Sequence, residues 1–580
     1  MRAAVVLLAA LLSGCVSTPT PSNQISTLMD ASWQLQLSSQ PQLAQHYGDS
    51  NAASELADLS PAALAAHHQA QTQLLAQVNG IDATTVPLSQ QADLAILRHQ
   101  LQNGIDSYRF HEHYSPISAE GGFHAYLAGI ARGHSLKTEA DARAYLARLQ
   151  QVPRYFEQQI HWLQQGINSG NTVPQAVLTG FEDSISAFIT PADSSLYYQP
   201  FANLAADFPN KARWQQQGLA AVAELVLPSY QRFYDFYQQQ YYPAARQTIG
   251  ASDLADGQRY YANRVRHFTT LPMTAEQVHQ LGLTEVARIR AEMDQVIAQL
   301  KFEGSFAEFL HFLRSDPQFY PQSADELLYY AAHLSKQADA MLPLFFGLLP
   351  RTPYGVKPVP AEIAPKYTTG RYSGSSSDDK PGYYWVNTYA LDKRPLYEME
   401  ALTLHEAVPG HHLQIALASE LDLHPLRRNY YISAFGEGWG LYSEKLGLEG
   451  GFYQDPYSNF GRLTYEMWRA CRLVVDTGMH AKGWSRQQAI DYLASNTALS
   501  LHNVTTEIDR YIGWPGQALS YKIGELTLWR LRAEAQSALG QQFDLRQFHD
   551  QVLQGGSLPM SQLEQQINAW IAAQLGAHNG

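Results

Sequence analysis

Apolar residues recur at helical spacing along most of this chain, and that periodicity constrains the fold more than any other feature. From Thr274 the stretch TAEQVHQLGLTEVARIRAEMDQVIAQL sets Val278, Leu281, Val286, Ile289, Met293, Ile297 and Leu300 on one stripe. Thr274 and Gln277 stand at the spacing of a capping box at its start. A second long helix carries Tyr230, Phe233, Tyr237 and Tyr241 after Pro228, an aromatic stripe of the kind that packs cores. Helices joined by short Pro/Gly/Asn turns account for most of residues 25–350. The pattern stops at PRTPYGVKPVPAEIAPKYTTGRYSGSSSDDKPG, whose Pro, Gly and Ser exclude a continuous helix. The run Tyr383-Tyr384-Trp385-Val386-Asn387-Thr388 then suits a strand, and helical periodicity resumes after Pro395. The expected fold class is mainly α, with a small β element just ahead of a histidine cluster. No repeat of solenoid period interrupts it.

The first residues concern address. MRAAVVLLAALLSGC has one basic residue, Arg2, then an apolar run too short to span a bilayer, as in a removed signal. Its ending Leu12-Ser13-Gly14-Cys15 resembles a bacterial lipobox, which makes Cys15 the expected lipidation site and residues 1–15 the lipoprotein signal peptide. The alternative is an ordinary secretory signal with a chance cysteine. Val16, rather than an aspartate, follows Cys15, so the expectation is an outer-membrane lipoprotein facing the periplasm. The only other cysteine is Cys471, so no intrachain disulfide is expected and stability must come from the apolar core. A formal charge of −13 argues against nucleic acid as a partner. Beyond the signal, residues 16–250 and 251–580 are the expected N-terminal helical part and the part bearing the site, within one continuous unit. Oligomeric state is not legible.

The chemistry concentrates in LHEAVPGHHLQ, residues 404–414. Histidines four apart on a regular helix chelate because they lie about 40° apart in projection. Here His405 and His411 are six apart and would fall on largely opposite faces of an unbroken helix, about 120° apart in projection. His405 and His412 would share a face but stand about 10 Å apart along the axis. The helix is not expected to be regular, because Pro409 has no N–H for the carbonyl of His405 and crowds it, while Gly410 tolerates a sharp turn. If Pro409 and Gly410 bulge out as a two-residue insertion, His411 becomes the second ligand. A three-residue excursion delivers His412 instead.

Downstream, FGEGWGLYSEKL carries Glu-Gly-aromatic-Gly-x-Tyr-x-Glu, which resembles the third-ligand helix of gluzincin metallopeptidases. That resemblance implies Glu437 as a zinc ligand, Glu444 as a supporting carboxylate, and Glu406 as general base on the attacking water. The blocks RPLYEMEALTLHEAVPGHHLQ, FGEGWGLYSEKLG, FGRLTYEMWRACRLVVDTGMHAKGWSRQQAI and PGQALSYKIGEL resemble the bacterial family called domain of unknown function 885. That family is regarded as related to gluzincins such as angiotensin-converting enzyme and the thermostable-type carboxypeptidases. The resemblance implies a large helical metallopeptidase-like fold with a deep cleft and one zinc ion per chain. It also implies hydrolysis of short peptides, as a carboxypeptidase, dipeptidyl carboxypeptidase or oligopeptidase. YYWVNT would act as the edge strand that pairs with substrate, making Tyr384 and Asn387 candidate substrate contacts. An oxyanion-stabilising tyrosine is implied near DRYIGWPGQALSYKIGEL, with Tyr521 favoured and Tyr511 the alternative. Arg510 or Lys522 would hold a substrate carboxylate.

Other catalytic apparatus is missing from the sequence: there is no Gly-x-Ser-x-Gly elbow, Walker A motif, Rossmann fingerprint or Cys-x-x-Cys pair. Two alternatives use the same residues. One is zinc-dependent hydrolysis of a non-peptide amide. The other is a lipid-anchored peptide- or metal-binding protein without turnover, which has no need of Glu406.

Overall fold

Seven helices and three strands frame the site in this computed structural model: α1 (Ala275–Gln299), β1 (Tyr354–Pro358), β2 (Gly370–Ser373), β3 (Gly382–Val386), α2 (Met399–Glu406), α3 (His411–Glu420), α4 (Ser433–Leu446), α5 (Pro456–Ala481), α6 (Leu501–Gly513) and α7 (Ser520–Leu539). The structure describes residues 21–361, 363–375 and 380–577. Cys15 and the expected signal segment lie outside them. The fold is mainly α, as the periodicity predicts.

The capping box of α1 forms: Gln277 N–H donates to Thr274 Oγ1 at 3.2 Å, and Thr274 N–H donates to Gln277 Oε1 at 2.9 Å. The buried face is Val278, Gly282, Glu285, Ile289, Met293 and Val296, rotated slightly from the apolar stripe, with Leu281, Val286 and Ile297 half-buried beside it. The rotation follows from what α1 packs against. A Cβ on Gly282 would lie 2.7 Å from Leu473 Cβ and 2.8 Å from Val474 Cγ2 of α5, so the glycine lets the two helices close.

Helix α5 is buried on every side from Phe460 to His480. A helix sealed all round belongs at the centre of a large core. Its polar residues, among them Glu466, Arg469 and Arg472, must therefore find partners inside the protein. The aromatic helix starts earlier than Pro228, at Lys211, contrary to expectation. Two π turns, Val222–Val226 and Tyr237–Tyr241, end two residues before Pro228 and Pro243. Their wider register accommodates prolines that lack an N–H, so the helix continues. Tyr230, Phe233, Tyr237 and Tyr241 are fully buried in the core, which draws on residues either side of 250.

The three strands form one sheet in the order β1-β3-β2, with β3 parallel to β1 and antiparallel to β2. The expectation that YYWVNT is an edge strand is therefore corrected. It forms the central strand β3, and the edge beside the histidine cluster is β2, drawn from the Gly- and Ser-rich stretch. Among the described residues no helix is long and apolar enough to cross a membrane.

Candidate metal centre

The Pro-Gly insertion works by interrupting one helix and restarting it two residues out of register. α2 ends at Glu406 and α3 begins at His411. Ala407 N–H still donates to Thr403 O at 2.9 Å, and the next helical bond runs from His412 N–H to Ala407 O, five residues back. Trp439 Nε1 donates to the Pro409 carbonyl at 2.8 Å, anchoring the excursion. Gly410 is sterically required there: a Cβ would fall 1.9 Å from the His405 carbonyl oxygen and 2.4 Å from that of Leu404. The excursion brings the rings of His405 and His411 together edge-on, with centroids 4.6 Å apart. Glu437 Oε2 of α4 lies 3.6 Å from His405 Nε2 and 3.4 Å from His411 Nε2. One donor atom from each of the three residues lies within 4.8 Å of the others.

His412 is turned elsewhere. Its Nδ1 is 2.9 Å from the Tyr372 hydroxyl and its ring packs on Tyr354, at 4.5 Å between centroids. Burial pushes its imidazole down to about 4. Of the two histidines left open by the sequence, the structure brings His411 to the centre.

The surrounding shell explains the glycines of FGEGWGLYSEKL. A Cβ on Gly440 would press into the His405 imidazole at 2.6 Å, and one on Gly438 would meet Gly524 Cα of α7 at 2.5 Å. These glycines let α4 approach α2 and α7 closely, which sets Glu437 against His405. On the far side of that ring, His405 Nδ1–H donates to Glu444 Oε1 at 2.7 Å, leaving Nε2 directed at the centre. Glu444 in turn lies 3.3 Å from Arg469 Nη2. Burial opposes charge on His405, but hydrogen bonding to Glu437 and Glu444 outweighs it and raises the imidazole to about 9. Burial likewise opposes charge on Glu437, and the two histidines still hold its carboxyl well below the usual range. The pocket thus favours positive charge where the three side chains converge. Two imidazole nitrogens, one of them on a carboxylate-backed histidine, and a carboxylate oxygen fit a divalent zinc ion. Tyr431, unnoticed in the sequence, donates its hydroxyl to Glu437 Oε1 at 3.3 Å.

Glu406 sits beside this centre. Its Oε2 accepts the Tyr372 N–H of β2 at 2.7 Å. The antiparallel register pairs Tyr372 with Tyr384 and Gly370 with Val386. Asn387 N–H donates to Thr369 O, so the bonded pairs are those in between, and Gly370 and Tyr372 direct their backbone groups outward. A cavity of about 760 Å3 opens here, lined by His405, Glu406, His411, Glu437, β2 and Tyr521 among others. Tyr521 lies nearly parallel to the His405 ring at 6.5 Å, and its hydroxyl has no hydrogen-bond partner among the described residues.

Several expected roles do not survive the geometry. Tyr511 is 1% exposed and its hydroxyl accepts N–H bonds from Trp468 at 2.8 Å and Arg472 at 2.6 Å, so it braces the core. Lys522 is fully buried away from the cavity, with Glu285, Glu466 and Glu525 at 3.1, 2.9 and 2.7 Å, and has no free bond for a substrate. Asn387 is buried too. Its amide donates to the carbonyls of Ala364, Tyr367 and Thr368, and its oxygen accepts Tyr389 N–H, which ties down the loop before β2. Tyr384 points from β3 into the core. Arg510 does line the cavity, but Glu507 at 3.0 Å and Gln517 at 2.8 Å hold it.

Solved structures resemble the chain over most of its length. One, described as "the putative lipoprotein from Colwellia psychrerythraea", is 30% identical with a TM-score of 0.86, covering 96% of this chain and 100% of that one. Another, "a putative lipoprotein of unknown function from Shewanella oneidensis", is 16% identical with a TM-score of 0.72, covering 94% and 99%. That second likeness speaks to the fold alone. No curated protein is detectably similar. Residues 41–567 match the family described as "Bacterial protein of unknown function (DUF885)", and the chain belongs to that family.

Proposed function

We propose that this chain is a zinc-dependent peptidase that hydrolyses short peptides, carried as a lipoprotein on Cys15 at the periplasmic side of the outer membrane. The carrying observation is the convergence of His405, His411 and Glu437 beside a fourth buried group, Glu406, that is not one of the three. When bound, zinc would supply Lewis-acid polarisation of the scissile carbonyl and make water more acidic. Glu406, oriented by the Tyr372 amide, takes the proton of the attacking water and returns it to the leaving nitrogen. The Tyr521 hydroxyl donates to the carbonyl oxygen as charge develops there. The open edge of β2 offers the amide and carbonyl of Gly370 and the carbonyl of Tyr372 to an extended peptide backbone. The cavity's volume suits a short peptide rather than a folded protein. Within this reading the mode is that of a carboxypeptidase, dipeptidyl carboxypeptidase or oligopeptidase, as the sequence resemblance to gluzincins implies. The lipid anchor is supported by Leu-Ser-Gly-Cys and by the descriptions of the two similar structures.

Metal analysis and turnover test the proposal together. The purified protein is expected to hold one zinc per chain and to trim peptides in a mixed library read by mass spectrometry. Glu406→Gln should keep the zinc and lose about 10²–10⁴ in rate, the usual worth of a general base. His411→Ala should lose the metal and His412→Ala should keep it. A protein without a stoichiometric transition metal, or equal metal retention in both histidine variants, would sink the proposal.

A further inference from the structure

The cavity is lined by five arginines, Arg264, Arg371, Arg469, Arg472 and Arg510. Four are matched by carboxylates: Arg264 with Glu112 at 2.9 Å, Arg469 with Glu444 at 3.3 Å, Arg472 with Glu507 at 3.1 Å and Arg510 with Glu507 at 3.0 Å. Arg371 has no carboxylate at salt-bridge distance among the described residues; its guanidinium lies over the Tyr367 ring, with Cζ 5.5 Å from the centroid. Its backbone is nevertheless fixed, because Arg371 pairs with Trp385 in the sheet. It directly precedes Tyr372, whose amide holds Glu406. Side chains alternate along a strand, so Tyr372 turns inward to His412 while Arg371 projects from the opposite, exposed face. Arg371 lines the same cavity as Glu406, Tyr521 and Glu120, so its side chain shares that space with the proposed catalytic groups.

We infer that Arg371 is the specificity-determining residue of this cavity and binds a carboxylate of the peptide substrate. The inference rests on the peptidase reading and extends it to a substrate class: peptides with a carboxylate close to the scissile bond. A guanidinium recognises a carboxylate through paired N–H bonds, and a rigid strand gives that recognition a defined register relative to Glu406. The carboxylate has two sources, the substrate's C-terminus or an acidic side chain, and the same chemistry serves both. Arg510 and Lys522, the carboxylate-binding candidates of the sequence, are already committed to internal carboxylates.

Binding to the zinc-loaded Glu406→Gln protein separates recognition from turnover. Calorimetry would compare a neutral peptide acid with its C-terminal amide, and a Glu-containing peptide amide with its Gln counterpart. The carboxylate form of one pair is expected to bind at least about tenfold tighter, which identifies the source. Adding Arg371→Gln should erase that preference while leaving the affinity for neutral amides within about twofold, and Arg371→Lys should restore part of it. Equal binding of both forms in both pairs would overturn the inference. So would a preference that survives Arg371→Gln, or a uniform loss across all four peptides. If no peptide binds to protein whose zinc content is verified, the peptidase reading fails, and the inference falls with it.

Discussion

Two buried groups of charge share the same helices and end differently. Around Lys522, the carboxylates of Glu285, Glu466 and Glu525 face the ammonium, and Arg288 and Arg462 cap Glu466 from outside. Lys522 is 0% exposed and Glu525 1%, so cations and anions close on one another with nothing facing the cavity. One residue earlier on α7, Tyr521 turns the other way, toward a centre built on Glu437. That carboxylate, with a side chain 15% exposed, finds no lysine or arginine among the described residues; two imidazoles stand where a cation would. A buried charge network that balances itself holds helices together. One whose counter-groups are imidazoles, which can release their protons, leaves a place for a metal cation.

The largest expected effect tests the closed group. Lys522→Met removes the ammonium from three carboxylates and should cost about 3–5 kcal/mol, the usual consequence of breaking a buried ion pair from one side. Denaturant unfolding would measure it, with zinc content of the folded protein unchanged. A loss below about 1 kcal/mol would mean the group is not the brace it looks, and would return Lys522 to the list of substrate contacts.

A smaller contrast lies between the two tyrosines. Tyr521→Phe should lower kcat by about 10²–10³ with metal and stability retained, as for removal of one oxyanion donor. Tyr511→Phe should leave kcat alone and cost about 1–3 kcal/mol of stability, because the N–H groups of Trp468 and Arg472 lose a buried acceptor. Steady-state kinetics beside thermal unfolding of both variants would show it. The reverse assignment of rate and stability effects would exchange their roles.

How much of this was legible in one dimension follows from the range of the forces. The break at Pro409-Gly410 is a local backbone matter, so the sequence predicts it, and the helix does stop and restart there. Capping at Thr274 is equally local. His411 against His412 stays undecided in the sequence because the length of the excursion depends on Trp439, thirty residues away, seizing the Pro409 carbonyl. Asn387, Lys522 and Tyr511 look functional in a string of letters because a polar side chain in a motif-rich segment carries no mark of its burial. Their partners come from Ala364, Glu285 and Trp468, which only the tertiary fold brings near. The edge strand β2 is hidden for the opposite reason. Gly370-Arg371-Tyr372-Ser373 has little strand propensity and pairs only because β3 is already in place. Tyr431 has no pattern at all to reveal its bond to Glu437.

The finest distinction concerns how far the closed style of charge pairing reaches into the open centre, and Glu444 is where the two meet. Its Oε1 accepts His405 Nδ1–H and also faces Arg469, so one oxygen both orients a histidine and balances an arginine. Glu444→Gln keeps an amide oxygen for the histidine and removes the charge. Glu444→Ala removes both. If orientation is what matters, the Gln variant should bind zinc nearly as well as the parent, while the Ala variant loses about 10–100-fold in affinity, the range seen when such supporting groups are removed. If the charge matters, through its hold on Arg469 or the basicity it lends His405, both variants should fall together. Competitive chelator titration measures either result. Orientation is the expected answer, because Glu437 already supplies negative charge at the centre, whereas among the described residues no other carboxylate reaches His405 Nδ1.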